Sequence, residues 1–252
     1  MDLAIAGKRA LVLGASRGLG GASARLLHAE GVDVIAAARS AGEMTAAERF
    51  TPHVVDLSDR GSVEALIAHL GKIGGVDILV NNTGGPKAGP AMGQTRETWL
   101  AAFETMATSI FSITEAVLPG MIERKWGRII TIGSSGIEQP IGNLALSNGV
   151  RAAIAGWSKT LASEVARHGI TVNMVLPGRI DTDRLRSIDK ANAENSGKDL
   201  ARVQEASIAE IPAGRYGDAD EFGAVVAFLA GAGASYVTGS MIRVDGGLTR
   251  SV

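Results

Sequence analysis

The sequence predicts one α/β domain, a doubly wound parallel sheet of about seven strands with helices on both faces. Three observations predict it. Short runs that are apolar on both faces recur along the chain, as strands buried beneath helices require. Helical periodicity fills the intervals between them. Glycine is abundant, 33 of 252 residues, about 13% against a usual share of roughly 7%, and several of these glycines stand at the ends of the apolar runs.

The first strand is read at 10–13, Ala-Leu-Val-Leu, ending at Gly14. The others fall at 32–38, 53–55, 76–80, 128–132, 171–176 and 241–244. Helices are read at 18–30, 62–72, 97–124, 144–168 and 218–230, the first with Leu19, Ala22, Leu26 and Leu27 on one side. Strand–helix alternation implies right-handed crossovers. Neither a repeat nor a low-complexity linker interrupts it, so residues 1–252 are read as a single domain. Residues 178–211 break the rhythm. They are rich in Asp, Arg, Asn and Ser and follow the end of a strand, where a lid or substrate loop is expected.

Composition excludes several functions. Hydrophobic residues make up 46% and the net charge is −1, which excludes disorder. A sequence pI of about 6.4 argues against a nucleic-acid partner. With no cysteine, disulfides, thiolate metal sites and cysteine catalysis are excluded. The histidines are scattered and the acids lack ligand spacing, so no metal is expected. The start of the chain lacks signal-peptide character, and the apolar run at 224–234 is short for a membrane span. A cytoplasmic protein without a membrane partner is expected.

The segment Leu13-Gly14-Ala15-Ser16-Arg17-Gly18-Leu19-Gly20 joins the first strand to the first helix. Glycines there let the backbone turn tightly and approach a pyrophosphate, whose charge the helix N-terminus favours. The spacing is Gly-x-x-x-Gly-x-Gly rather than Gly-x-Gly-x-x-Gly. The same residues also spell Gly14-Ala15-Ser16-Arg17-Gly18, the Gly-x-Ser-x-Gly elbow of serine hydrolases. That reading needs a late histidine. The four histidines, His28, His53, His69 and His168, fall within or at the ends of predicted helices and strands, and residues 169–252 contain none.

Further motifs follow at the strand ends. They are Val55-Asp56-Leu57-Ser58, Asn81-Asn82-Thr83-Gly84, Ile132-Gly133-Ser134, Pro177-Gly178-Arg179-Ile180-Asp181-Thr182 and Val244-Asp245-Gly246-Gly247. Together with the glycine loop they resemble the short-chain dehydrogenase/reductase family, particularly its 3-oxoacyl-carrier-protein reductase-like members. The resemblance runs along nearly the whole chain and implies a Rossmann-type fold with a nicotinamide cofactor. It implies that Gly14, Ser16, Arg17, Gly18, Leu19 and Gly20 cradle the cofactor. Asp56 and Leu57 stand at its adenine end, and Asn82, Thr83 and Gly84 run alongside. Pro177, Gly178, Ile180 and Thr182 are expected around the nicotinamide.

The second strand ends Ala36-Ala37-Ala38-Arg39, with no carboxylate to repel a 2′-phosphate. Arg39 can bind that phosphate through its guanidinium fork, and Arg17 is a second cation nearby. NADP(H) is therefore the expected cofactor, and a small carbonyl or alcohol compound the expected substrate. The resemblance also implies a homo-oligomer, dimer or tetramer, through the small residues near Ala152, Ala153 and Gly156.

The resemblance fails at its catalytic centre. The family places a tyrosine thirteen residues after a serine, a lysine four residues further on, and an asparagine on the preceding helix. Ser134 matches the serine, but Ser147, Arg151 and Met106 occupy the other positions. A phenol with a depressed pKa can protonate an alkoxide; a serine hydroxyl is a far weaker acid, and arginine keeps its proton. The expectation is an oxidoreductase with an altered proton donor, with Ser134, Ser147 and Arg151 at its centre and Arg151 also near the cofactor. The alternative is an NADP(H)-binding protein of weak or no activity, a sensor or inactive partner subunit.

Overall fold

The computed structural model describes residues 2–251. Seven strands form one wholly parallel sheet: β1 (Arg9–Leu13), β2 (Asp33–Ala38), β3 (Phe50–Val54), β4 (Ile78–Asn81), β5 (Gly127–Ile132), β6 (Ile170–Pro177) and β7 (Met241–Val244). Their order is β3-β2-β1-β4-β5-β6-β7. The chain winds outward from β1 to β3, returns to lay β4 beside β1, and winds outward again. That reversal opens a crevice beyond the C-terminal ends of β1 and β4, where ligands bind in sheets of this kind.

Alternation along each strand explains two cores. Leu11, Leu13, Leu79, Ile129 and Val172 face α2 (Arg60–Lys72), α4 (Ser109–Arg124) and α5 (Ala145–Val165). Val12, Val34, Val80, Ile130 and Val175 face α1 (Gly18–Ala29) and α8 (Ala219–Ala230). Each fully buried aliphatic side chain contributes about 1.5–3 kcal/mol. The α1–α8 contact is close because Gly223 admits it: a Cβ there would stand 2.9 Å from Leu26.

The N-terminus of α8 is fixed by a capping box of Asp218 and Glu221. Arg215 donates to both Glu221 oxygens, at 2.8 and 2.6 Å. This pair holds the Glu221 carboxyl down at about 2. A depressed carboxyl pKa stabilises the fold above its unfolded pKa and loses that contribution as pH falls through the folded one. Glu221→Gln is therefore expected to lower Tm at neutral pH, with the gap from wild type closing between roughly pH 4.5 and 2. Thermal melts across that range check it.

The structure corrects the reading of 178–211. In place of a loop it forms two helices, α6 (Asp183–Ser196) and α7 (Leu200–Ala209), separated at Gly197, φ +65°. Thr182 caps α6 by accepting the Leu185 N–H at 3.4 Å. The inward residues Leu185, Asp189 and Ala193 do recur every fourth position. One of them is an aspartate, buried because it accepts a 2.8 Å hydrogen bond from the Tyr216 hydroxyl, and this masked the helical signal.

The predicted helix at 97–124 is also divided, into α3 (Arg96–Phe103), a π turn at Glu104–Thr108 and α4. The Thr108 and Ser109 hydroxyls back-bond to the carbonyls of Glu104 and Thr105 in this turn. By length and apolarity Arg96–Arg124 would suffice to cross a membrane, yet half of its most apolar stretch is buried inside the fold. The third strand begins earlier than read, at Phe50. Small shifts of one or two residues occur at other ends, where frayed turns blur any boundary.

Candidate active site

The glycine loop lies across the crevice at the end of β1. Gly14 and Gly18 take left-handed φ values of +61° and +56°. Gly20 is fixed by crowding: a Cβ would stand 2.3 Å from the Gly14 carbonyl oxygen and 2.5 Å from Asn82 Nδ2. Asn82, at the end of β4, donates to the Gly14 carbonyl at 3.3 Å and so ties the two strand ends together. Arg17 occupies the α1 N-cap in extended backbone. Its side chain makes no capping bond, and the first turn of α1 holds no acid. The N-terminus of α1 thus presents a positive end of the helix dipole and an exposed cation to the crevice. Ser16 and Leu19 are half-buried in the same turn.

Arg39 stands exposed at the end of β2, near Asp56 beyond β3. The Ser58 hydroxyl and N–H donate to Asp56 at 2.7 and 2.9 Å, holding its carboxyl below the usual range; the Arg39 charge adds to this. Leu57 packs against the core beside it. Thr83 is buried and Gly84 open, with no atom near a Cβ position. Beyond β6, Gly178 is required by close approach: its Cβ would stand 2.6 Å from Asp245 Cα. Ile180 is buried by a bridge to Gly217, and the Thr182 methyl lies 3.7 Å from where a Gly18 Cβ would be. The crevice therefore gathers residues from the ends of β1, β2, β4 and β6.

The altered positions meet at the end of β5. Ser134 caps a short turn, its Oγ accepting the Gly136 N–H at 3.1 Å and keeping its own proton to donate. Ser147 lies in the first turn of α5 and is buried. Arg151 follows one turn later, on the same face, and its guanidinium donates to the Ile132 carbonyl at 3.0 Å, two residues before Ser134. Met106 sits in the π turn packed against α5, 1% exposed and embedded in the core. Burial, then the like charge of Arg184, lowers the Arg151 guanidinium to about 10, so it remains a cation at neutral pH.

Arg184 has no counterpart among the sequence-level candidates. It lies in the first turn of α6 and sets its guanidinium against Gly85, where a Cβ would stand 2.3 Å from one nitrogen. A cation in a helix's first turn opposes the dipole, and that misplacement is the signal that could have found it.

Neither tyrosine supplies the missing phenol. Tyr216 is committed to Asp189, and Tyr236 is fully exposed. The histidines stand apart from Ser16. His28 bonds the Glu48 carbonyl, His53 stacks on His69 at 4.8 Å, and His168 meets Arg167. Around the centre, the Trp99 ring covers Gly149, Leu146 is buried, and Leu144 and Leu185 are half-buried.

Comparison with known proteins matches the chain along nearly its whole length. The family profile described as enoyl-(acyl carrier protein) reductase covers residues 14–249. The 3-oxoacyl-(acyl-carrier-protein) reductase FabG of Vibrio cholerae is 38% identical over 250 residues, spanning 96% of this chain and 97% of that one. The Escherichia coli FabG is 39% identical over 251 residues, with the same coverage. The solved structure of L-sorbose reductase from Gluconobacter frateurii, complexed with NADPH and L-sorbose, superposes with a TM-score of 0.90 at 29% identity and covers 100% of both chains. That of YwfH, an NADPH-dependent reductase involved in bacilysin biosynthesis, gives 0.89 at 28% identity, covering 98% of this chain and 100% of the other.

Proposed function

This chain belongs to the short-chain dehydrogenase/reductase family, and from that premise we propose that it is an NADP(H)-dependent oxidoreductase of carbonyl or alcohol substrates with an altered proton donor. One observation carries the cofactor: the crowded glycine cradle tied by Asn82, with two exposed arginines and no carboxylate at the end of β2. The residues fit the group. Gly14, Gly18 and Gly20 with the α1 N-terminus would hold the pyrophosphate, and Arg17 and Arg39 the 2′-phosphate. Asp56 and Leu57 would meet the adenine. Asn82, Thr83, Gly84, Pro177, Gly178, Ile180 and Thr182 would line the nicotinamide half. When bound, the reduced cofactor supplies a hydride.

The chain's own part is to orient the carbonyl and receive the developing negative charge. The Ser134 hydroxyl donates to the carbonyl oxygen. Arg151, a fixed cation held by the Ile132 carbonyl, stabilises the alkoxide. Ser147 orients the water that gives the proton, because neither it nor Arg151 is an effective acid. Assembly as a homodimer or homotetramer belongs to the same reading; Ala152, Ala153 and Gly156 form an open, small-residue face on α5.

The second reading, cofactor binding without turnover, is favoured by Met106, an apolar residue fully buried where the family places a polar one. Titrating NADPH and NADH and then following NADPH absorbance against ketones, aldehydes and quinones separates the two. NADPH is expected to bind more tightly than NADH, and equal or tighter NADH binding would overturn the assignment. Arg39→Asp is expected to weaken NADPH about 10–100-fold and spare NADH, the effect of losing one charge-assisted phosphate contact.

A further inference from the structure

We propose that the altered catalytic centre is an anion clamp, in which Arg151 on α5 and Arg184 on α6 grip the carboxylate of an oxo-acid substrate. The proposal rests on the nicotinamide reading above and names the substrate class for that site.

Two guanidinium groups from separate elements stand at the ends of the neighbouring strands β4 and β5, one on the Ile132 carbonyl and one beside Gly85. Arg151 uses one nitrogen on the Ile132 carbonyl and keeps its remaining N–H donors. Arg184 lies on the backbone at Gly85, in the loop that leaves β4, and any side chain at 85 would displace it. Among the described residues neither arginine has a carboxylate partner. Burial first, and then the like charge of Arg184, bear on the Arg151 guanidinium.

Without an anion the cost of this arrangement falls on Arg151, because Arg184 is exposed. Arg184 opposes the dipole of α6, and Arg151 is largely withdrawn from water beside a second cation. A carboxylate between them relieves both terms and accepts paired N–H donors in the geometry guanidinium favours. The replacement of the family's phenol by Ser147 fits this use. It removes a bulky ring from the face that carries Arg151. Ser134 remains at the end of β5 to meet the carbonyl. The three exchanges at 106, 147 and 151 then describe a change of substrate as well as a loss of acid.

The test measures binding to the NADP⁺-saturated protein, where reduction of an oxo acid is impossible and affinity is read without turnover. The probes are pyruvate, acetoacetate and 4-oxopentanoate, each with its methyl ester, and inorganic phosphate. At least one oxo acid is expected to bind tenfold or more tightly than its ester and than phosphate. Arg184→Glu, on an exposed position whose new charge suits the helix dipole, is expected to weaken that acid tenfold or more. It should leave NADP⁺ affinity within about twofold.

Equal binding of acids and esters overturns the proposal, as does absence of oxo-acid binding while NADP⁺ binds. Tighter binding of phosphate than of any acid overturns the carboxylate assignment. If Arg184→Glu weakens NADP⁺ as strongly as the acid, Arg184 serves the cofactor phosphates and the clamp is wrong. Failure of NADP⁺ to bind the wild-type chain marks failure of the nicotinamide reading itself. The acids, titrated into the free protein, then decide the clamp separately: retained, Arg184-dependent acid binding supports it and its absence overturns it.

Discussion

The triple variant Met106→Asn, Ser147→Tyr, Arg151→Lys is expected to raise reduction of generic ketones by about 10²–10⁴-fold over the wild-type chain, the worth of a positioned general acid. Positions 147 and 151 occupy successive turns on one face of α5, and the π turn bearing Met106 packs against that helix. A phenol at 147 would therefore stand one turn from the cation at 151, and the neighbouring charge would lower its pKa toward working pH. Ser147→Tyr alone, with Arg151 retained, should recover only part of the gain. The arginine already bonds the Ile132 carbonyl and presents a broad fork where an ammonium is compact. Met106→Asn alone should destabilise by about 1–3 kcal/mol, since it buries an amide among apolar neighbours. NADPH oxidation rates and thermal melts of the single and triple variants check these outcomes. A triple variant that folds, binds NADPH and stays inert would place the remaining divergence in the substrate pocket.

The frame of this site was legible in the sequence because its parts are local. The glycine loop, Asn82, Asp56 and Gly178 each stand within a few residues of a strand end, and a strand end declares itself by where apolarity stops. Legibility ended where function depends on residues brought together from distant elements. Arg184 lies 33 positions from Arg151 in the chain, in a stretch so polar that its helices read as loop. Only the reach of the Arg184 side chain to Gly85, in the loop after β4, brings it to the strand ends where Arg151 lies. The helical pattern of α6 was hidden for the same reason that Asp189 is buried: its partner, the Tyr216 hydroxyl, comes from the other side of α7. The π turn was hidden differently. Its one-residue excess leaves the hydrophobic pattern of the long helix nearly intact on either side, so periodicity alone reads straight through it.

Gly20→Ala is expected to abolish measurable NADPH binding, with a Kd at least 100-fold weaker than wild type, and to lower stability by about 1–3 kcal/mol. The added carbon would stand 2.3 Å from the Gly14 oxygen and 2.5 Å from Asn82 Nδ2. The first is backbone at a strand end, and the second is held by its bond to that same carbonyl. Relief requires α1 to move off β1, but α1 is pinned on its other side, where Gly223 of α8 brings the two helices into close contact. The displacement therefore falls on the loop itself, which is the part that must approach a pyrophosphate. Gly74→Ala provides the comparison. Gly74, unlike Gly20, has a left-handed φ, +81°, but a Cβ there meets nothing. It should cost about 1 kcal/mol of strain and leave NADPH affinity unchanged. Gly18→Ala, with φ +56° and Thr182 at 3.7 Å, should fall between them. The ordering by affinity, Gly74 least, Gly18 next and Gly20 most, separates backbone strain from loss of the cradle. A Gly20→Ala protein that folds and binds NADPH as tightly as wild type would remove the nucleotide from this loop altogether.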